Sequence, residues 1–271
     1  MNLGNGARWA LRAVMAVGLA VIYLPLMVVL LNSFNADRTF GWPPSDLTTK
    51  WWASAWNNEG ARLALWTSVK TGLGAAAIAL LLGTMIAFAV GRYRFFGRNA
   101  VSLLVVLPIA LPGIVTGIAL STAFKTVGEP LGLQKGLLSV IIGHATFCIV
   151  VVYNNVLARL RRTGSSFEEA SADLGATTFQ TFRYVTFPLI RSALFAGGLL
   201  AFALSFDEII VTTFTAGPGV TTLPIWIFQN LFRPNQAPVI NVVAALLIVL
   251  SIVPIYIVQR LSADTAGGGR V

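Results

Sequence analysis

Five stretches of this chain run for more than twenty residues without a charged side chain: 13–36, 71–91, 99–124, 136–158 and 234–259. A sixth apolar stretch, from Ser192 to about Gly217, is interrupted only by Asp207 and Glu208. A helix crosses about 30 Å of hydrocarbon with roughly 20 residues, so each run is long enough to span a bilayer. Composition agrees: 56% of residues are hydrophobic and 11% charged, where a soluble domain carries about a quarter charged. Mean hydropathy is +0.78. These features predict an all-α integral membrane protein, one transmembrane domain over residues 1–271 with six helices at about 13–36, 63–91, 99–123, 136–158, 192–215 and 238–259.

The first run follows Arg8 and Arg12, as a signal peptide would. It is too long for one, and no A-x-A site follows, so it reads as a retained helix. Lys and Arg set the orientation. With the N-terminus inside, the inner segments hold twelve of them: Arg8, Arg12, Arg92, Arg94, Arg98, Arg159, Arg161, Arg162, Arg183, Arg191, Arg260 and Arg270. The outer segments hold seven: Arg38, Lys50, Arg62, Lys70, Lys125, Lys135 and Arg233. Both termini are expected in the cytoplasm, with the chain passing repeatedly through the membrane. The net charge of +9 then describes basic loops facing anionic lipid rather than nucleic acid. One cysteine, Cys148, rules out an internal disulfide and reads as packing.

The outer segments differ in character. Residues 37–60 include TTKWWASAWNNEG, whose tryptophans fit an interfacial aromatic belt or a ligand contact. Residues 217–238, bounded by Gly and Pro, suggest a short surface helix. The tail TAGGGRV suggests disorder.

The loop between helices 4 and 5, residues 160–190, breaks the apolar pattern. It concentrates Glu168, Glu169 and Asp173 among only ten acidic residues in the chain. Ser165 and Ser166 each stand three residues before a glutamate, the capping-box spacing in two adjacent registers. Ala170, Ala172 and Leu174 sustain a helix from about Ser166 to Leu174, and Gly175 can stop it by taking positive φ. A second helix is expected from Thr177 or Thr178, carrying Phe179, Phe182 and Phe187 to a break at Pro188. Such short helices hold only by packing on something. A capped unit with a small-residue face reads as a docking element for a cytoplasmic partner, against the alternative of a solvated connector.

Asp207 and Glu208 are the sharpest site signal. A charge near the bilayer centre costs about 2.5–3.5 kcal/mol on insertion scales, so the pair needs a cation, a wet cavity or protonation. Neighbours on a helix stand about 100° apart, so the two are expected to face different ways. Gly113 lies about 15 residues past Arg98, and Asp207 about 15 past Ser192, so each lies about 22 Å from the inner surface at 1.5 Å per residue. The Pro112-Gly113 break and the acids then share a level, either lining a cavity or marking a packing kink from Pro108 and Pro112. His144, with no second His or Cys at metal spacing, reads as an interhelical hydrogen bond.

The run EASADLGA followed by TFRYVTFPLI resembles the EAA signature of bacterial ABC-importer permeases, with Glu169, Gly175 and Pro188 at its marked positions. LPIALPGIVTGIAL (107–120), GHATFC (143–148), NNVLARLRRT (154–163) and FALSFDEIIVTTFTAG (202–217) resemble spermidine/putrescine importer permeases of the PotC-like type over roughly residues 15–260. The resemblance implies a type I importer permease fold. Glu168, Glu169, Ala170, Asp173, Gly175 and Ala176 would form the coupling helix seated on an ATP-hydrolysing subunit. It carries a substrate set onto Trp51, Ser205, Asp207 and Glu208. Where those permeases have an acid after the helix 3 proline, this chain has Gly113, which favours a smaller or less charged amine. The implied partners are a second, distinct permease, two ATP-binding subunits and an extracytoplasmic substrate-binding protein. ATP and magnesium would be used by the ATPase partner, and this chain would bind no cofactor or metal.

The chain contains no G-x-x-x-x-G-K-[ST], nucleophile elbow or zinc motif, so it is not expected to be an enzyme. Two rival readings stand beside the polyamine importer. One keeps the importer with another small cargo, such as an amino-acid derivative or a metal complex. The other is a secondary transporter in which Asp207 and Glu208 carry coupling ions.

Overall fold

The computed structural model describes residues 4–38 and 43–267, and the helices of the chain follow the charge-free runs. They sort into two units, Met1–Arg62 with Ile227–Tyr256, and Leu63–Trp226 with Ile257–Val271.

In the first unit, α1 (Asn5–Asn32) leaves its apolar surface uncovered, with none of its most apolar window buried. After it, Asn35 and Leu47 pair in an isolated antiparallel bridge. The short α2 (Lys50–Trp56) follows, and Trp52 stacks on Phe34 at 5.1 Å between ring centroids. The short helix expected in 217–238 is α11 (Leu223–Asn230), which runs across the junction of the two units. The last helix, α12 (Ala237–Gly267), carries the tail to Gly267. Thr265, Ala266 and Gly267 are therefore helical rather than disordered, and residues 268–271 lie outside the described ones.

The second unit is built around α6 (Leu137–Thr163), which buries Val140, Val152, Tyr153, Val156 and Leu160. It packs between α3 (Glu59–Arg92) and α9 (Phe187–Phe206). Glycines set the closeness of those contacts, as expected where helices associate by packing rather than by expelling water. A Cβ at Gly83 of α3 would stand 2.9 Å from the Ile149 carbonyl oxygen and 3.1 Å from the Tyr153 nitrogen, both on the α6 backbone. At Gly197 of α9 it would meet the Val152 Cα at 3.3 Å.

Among the described residues, four helices are long and apolar enough to cross a membrane, five if one bent pair counts as a single span. That pair is the expected helix 3. It divides into α4 (Arg98–Ala110) and α5 (Gly113–Ala123), with a bend of 106° between them. Pro112 has no N–H to continue the ladder and restricts Leu111 to extended backbone, observed at ψ 145°.

The expected helix 5 departs from its predicted bounds at both ends. It begins at α8 (Thr178–Thr181), runs through a π-helical segment, Phe182–Thr186, into α9, and stops at Phe206. Pro188 does not break it. The preceding turn is widened, with the Phe187 N–H reaching the Phe182 carbonyl five residues back. This irregular turn is where the helix absorbs a proline that a regular ladder would exclude. The chain resumes after a gap as α10 (Ile210–Thr215).

Candidate functional site

Asp207 and Glu208 sit in the gap between α9 and α10, outside regular helix. The Asp207 N–H still reaches the Ala203 carbonyl at 3.3 Å, but Ile209 takes φ −103° and ψ −46° and the helix restarts only beyond it. The 100° rule for helix neighbours therefore does not apply. Both acids line one recess of about 580 Å³, together with Ile109, Val151, Leu200, Ala203 and Leu204. The expectation that they face different ways rested on a continuous helix, which the break removes, and both residues line the same recess. A recess lined by aliphatic residues and two acidic ones suits a cation with an apolar body.

The two acids are held differently. Asp207 is exposed. Glu208 is half-buried, and its Oε1 accepts the Val211 N–H at 2.9 Å. It satisfies one of the donors that a helix start leaves unpaired. Its backbone carbonyl accepts the Thr212 hydroxyl at 2.8 Å.

The other predicted substrate residues fall elsewhere. Gly113 is packed against Ile210, whose side chain lies 3.6 Å from the position a Cβ would take. The break in helix 3 and the acid break are thus neighbours in the fold. Ser205 is buried and hydrogen-bonded to His144 Nδ1 at 2.8 Å, facing α6 rather than the recess. Trp51 belongs to the other unit. Its indole N–H donates to the Asn35 carbonyl at 2.9 Å, and Lys50 lies 4.6 Å from the ring centroid. A lysine of the same chain already occupies the position an amine would take over that ring. His144 makes the interhelical hydrogen bonds its sequence position suggests, to Ser205 and to Thr212.

At the other end of α6, α7 (Ser166–Asp173) is the helix expected at Ser166–Leu174. Its stop is a Schellman motif: Gly175 takes φ +80°, its N–H bonds the Ala172 carbonyl, and the Ala176 N–H bonds the Ser171 carbonyl. The predicted double capping box does not form. The Ser165 hydroxyl donates to the Glu169 carboxylate at 2.6 Å instead of accepting a backbone N–H. Glu168 is turned inward. The Arg92 Nε lies 2.8 Å from one of its oxygens, and the Thr186 hydroxyl donates to the other at 3.0 Å. The attraction of an arginine at the end of α3 outweighs the local cap. Arg92 also donates to the Leu160 carbonyl at 3.1 Å, so one guanidinium joins the ends of α3 and α6 to α7.

A capping box does occur one helix later. Thr177 and Gln180 satisfy each other's backbone N–H at the start of α8. The T-x-x-Q spacing carries that signal in the sequence, overlooked beside the more conspicuous acids. With Glu168 facing in, the outward surface of the loop carries Glu169, Ala170, Asp173, Leu174 and Phe179, while Ala176 is half-buried. Leu174 is 90% exposed and Phe179 74%.

Comparison with known proteins gives the class to which this fold belongs. Residues 79–266 match the family described as "Binding-protein-dependent transport system inner membrane component", and the chain belongs to that family. Among relatives, it is 35% identical over 251 residues to the spermidine/putrescine transport system permease protein PotC of Shigella flexneri, covering 92% of this chain and 93% of that one. It is 31% identical over 242 residues to the putrescine transport system permease protein PotI of Escherichia coli K12, covering 87% and 84%. The fold is similar to a crystal structure of a bacterial ABC transporter involved in import of the polysaccharide alginate. The TM-score is 0.69 at 18% identity, over 97% of this chain and 99% of that one. The chain is a membrane permease of the ABC-transporter type and not an enzyme, as its relatives are.

Proposed function

We propose that this chain is one permease subunit of an ATP-driven importer that carries a polyamine or a related amine inward across the bacterial inner membrane. It would cross six times with both termini in the cytoplasm. It would form half of a pathway with a second, distinct permease. Two ATP-binding subunits, which use ATP and magnesium, would sit on the cytoplasmic face, and a substrate-binding protein would deliver cargo outside. α7 would be the coupling helix, and Asp207 with Glu208 would meet the ammonium end of the cargo.

The observation that carries this reading is the loop that includes α7. A free-standing eight-residue helix would not persist in water, yet this one is anchored to the ends of two long helices. It leaves Leu174 and Phe179 uncovered. An apolar patch on a rigid mount suits a partner's groove and has no use in a connector. The amine cargo draws support from the two polyamine-permease relatives and from a recess whose described lining is aliphatic apart from two acids. An ion-coupled transporter would give the loop nothing to do.

The test uses the chain co-expressed with its neighbouring genes, purified and placed in nanodiscs. ATP hydrolysis is recorded with and without binding protein loaded with putrescine or spermidine, for the native chain and for Gly175→Val. No atom lies within 4 Å of a Cβ at Gly175, so the substitution strains the left-handed turn without disturbing packing within the chain. Stimulation by loaded binding protein is expected in the native complex and lost in the variant. Uptake driven by a proton gradient with no associated ATPase would overturn the proposal.

A further inference from the structure

His144 is the chain's one histidine and is fully buried. Each ring nitrogen lies 2.8 Å from a hydroxyl, Nδ1 from Ser205 and Nε2 from Thr212. Ser205 lies in the last turn of α9 and Thr212 in the first turn of α10. One ring therefore bridges the break that carries Asp207 and Glu208. Gly143 brings it within reach: a Cβ there would stand 3.3 Å from side-chain carbons of both Val211 and Thr215, so α6 and α10 approach closely at that level.

The direction of each bond follows from its neighbours. The Thr212 hydroxyl lies 2.8 Å from the Glu208 carbonyl oxygen, which can only accept, so its single proton goes there. Its oxygen then accepts from His144, which places a proton on Nε2. Nδ1 is left as an acceptor for the Ser205 hydroxyl. The chain of donors runs from the histidine through Thr212 to the backbone of Glu208. The Glu208 carboxylate turns onto the Val211 N–H beside it.

We infer that His144 is a positioning residue that holds the Asp207-Glu208 turn open, so that both acids line one recess. The ring adds a tie across the break to those that Glu208 makes with Val211 and Thr212, and without it residues 207–209 are less constrained against joining α9 to α10 as continuous helix. The two acids would then stand about 100° apart, and one would leave the recess. A metal-binding role has no support, since no group of three His, Cys, Asp or Glu that could hold an ion occurs among the described residues. The inference rests on the proposed cargo role of the acids only for its effect on uptake.

The experiment reads the turn directly. In the assembled importer, on a Cys148→Ala background, Asp207→Cys is labelled with a small cationic methanethiosulfonate, with Leu174→Cys as a remote reporter. Labelling is compared for native His144, His144→Leu and Thr212→Val. Both replacements are expected to change the rate at position 207 by about tenfold, the factor that ~1.4 kcal/mol represents. The rate at position 174 should not change. The double replacement should add little to His144→Leu alone, because the two act through one chain of bonds. Rates at position 207 within about twofold of native in monodisperse Thr212→Val protein would overturn the inference, since threonine to valine removes the hydroxyl with little change in shape. That variant decides the matter even if His144→Leu does not assemble. With Asp207 restored, His144→Leu should raise the half-saturating amine concentration more than it lowers the maximal rate. Altered labelling with unaltered uptake constants would leave the clamp standing and overturn the cargo role of the acids instead.

Discussion

Glu208 turns one carboxylate oxygen onto the Val211 N–H, while Asp207 beside it is exposed. Substitutions can separate these tasks. Glu208→Gln keeps an acceptor for the backbone and removes the charge, whereas Glu208→Ala removes both. We expect Ala to lower thermal stability by about 1 kcal/mol, the usual cost of losing a helix-start acceptor, and Gln to leave melting of the purified complex nearly unchanged. Asp207→Asn should cut amine uptake at least about tenfold by removing one attractive charge of roughly 1.4 kcal/mol or more. The ATPase should still co-purify, because Asp207 is remote in sequence from α7. Loss of the ATPase from the Asp207→Asn complex would show that the acid serves assembly rather than cargo. Charge-free runs make Asp207 and Glu208 stand out in the sequence. Their shared recess was not legible there, because a period-3.6 reading assumes a continuous helix and the helix stops at Phe206.

At the scale of the element, Arg92 and Glu168 decide how α7 is mounted. The pair is mostly buried, at 15% and 21% side-chain exposure, so removing either partner leaves the other without its counter-charge in a poor solvent for charge. Arg92→Glu or Glu168→Arg alone should lower the melting temperature by an amount equivalent to about 1–3 kcal/mol and weaken stimulation by loaded binding protein. The double exchange should restore most of both. Failure of the double exchange to recover either would show that the geometry, not the charge, is what matters. Gly83 tests the packing between α3 and α6. A Cβ at that position would press on α6 backbone, which cannot step aside as a side chain would. Gly83→Val should cost about 1–3 kcal/mol in detergent melting, as overpacking does. Both the α7 stop at Gly175 and the closeness at Gly83 come from glycine, but only the first is visible in sequence. A helix C-terminal glycine follows a local pattern, whereas a packing glycine depends on which helix lies opposite.

For the whole molecule, the excess of Arg on one side predicts which loops face the cytoplasm. α6 spans about 40 Å at 1.5 Å per residue, and it separates Glu129 from Leu174. Single cysteines at those positions, on the Cys148→Ala background, should divide cleanly. An impermeant maleimide added to intact spheroplasts should label position 129 and reach position 174 only after lysis, and the reverse pattern would invert the proposed topology. Hydrophobic runs, the arginine bias and the EAA-like loop are written along the chain, because burial in lipid, attraction to a charged surface and a helix stop each act on neighbouring residues. They were enough to establish a helical membrane protein and the family it resembles. The size of the bend after Leu111, the inward turn of Glu168 and the ring of His144 across the acid break were decided by the tertiary structure alone. Each depends on a partner dozens of residues away, or on how a break is resolved in space, and no local pattern encodes which distant group will be there to meet it.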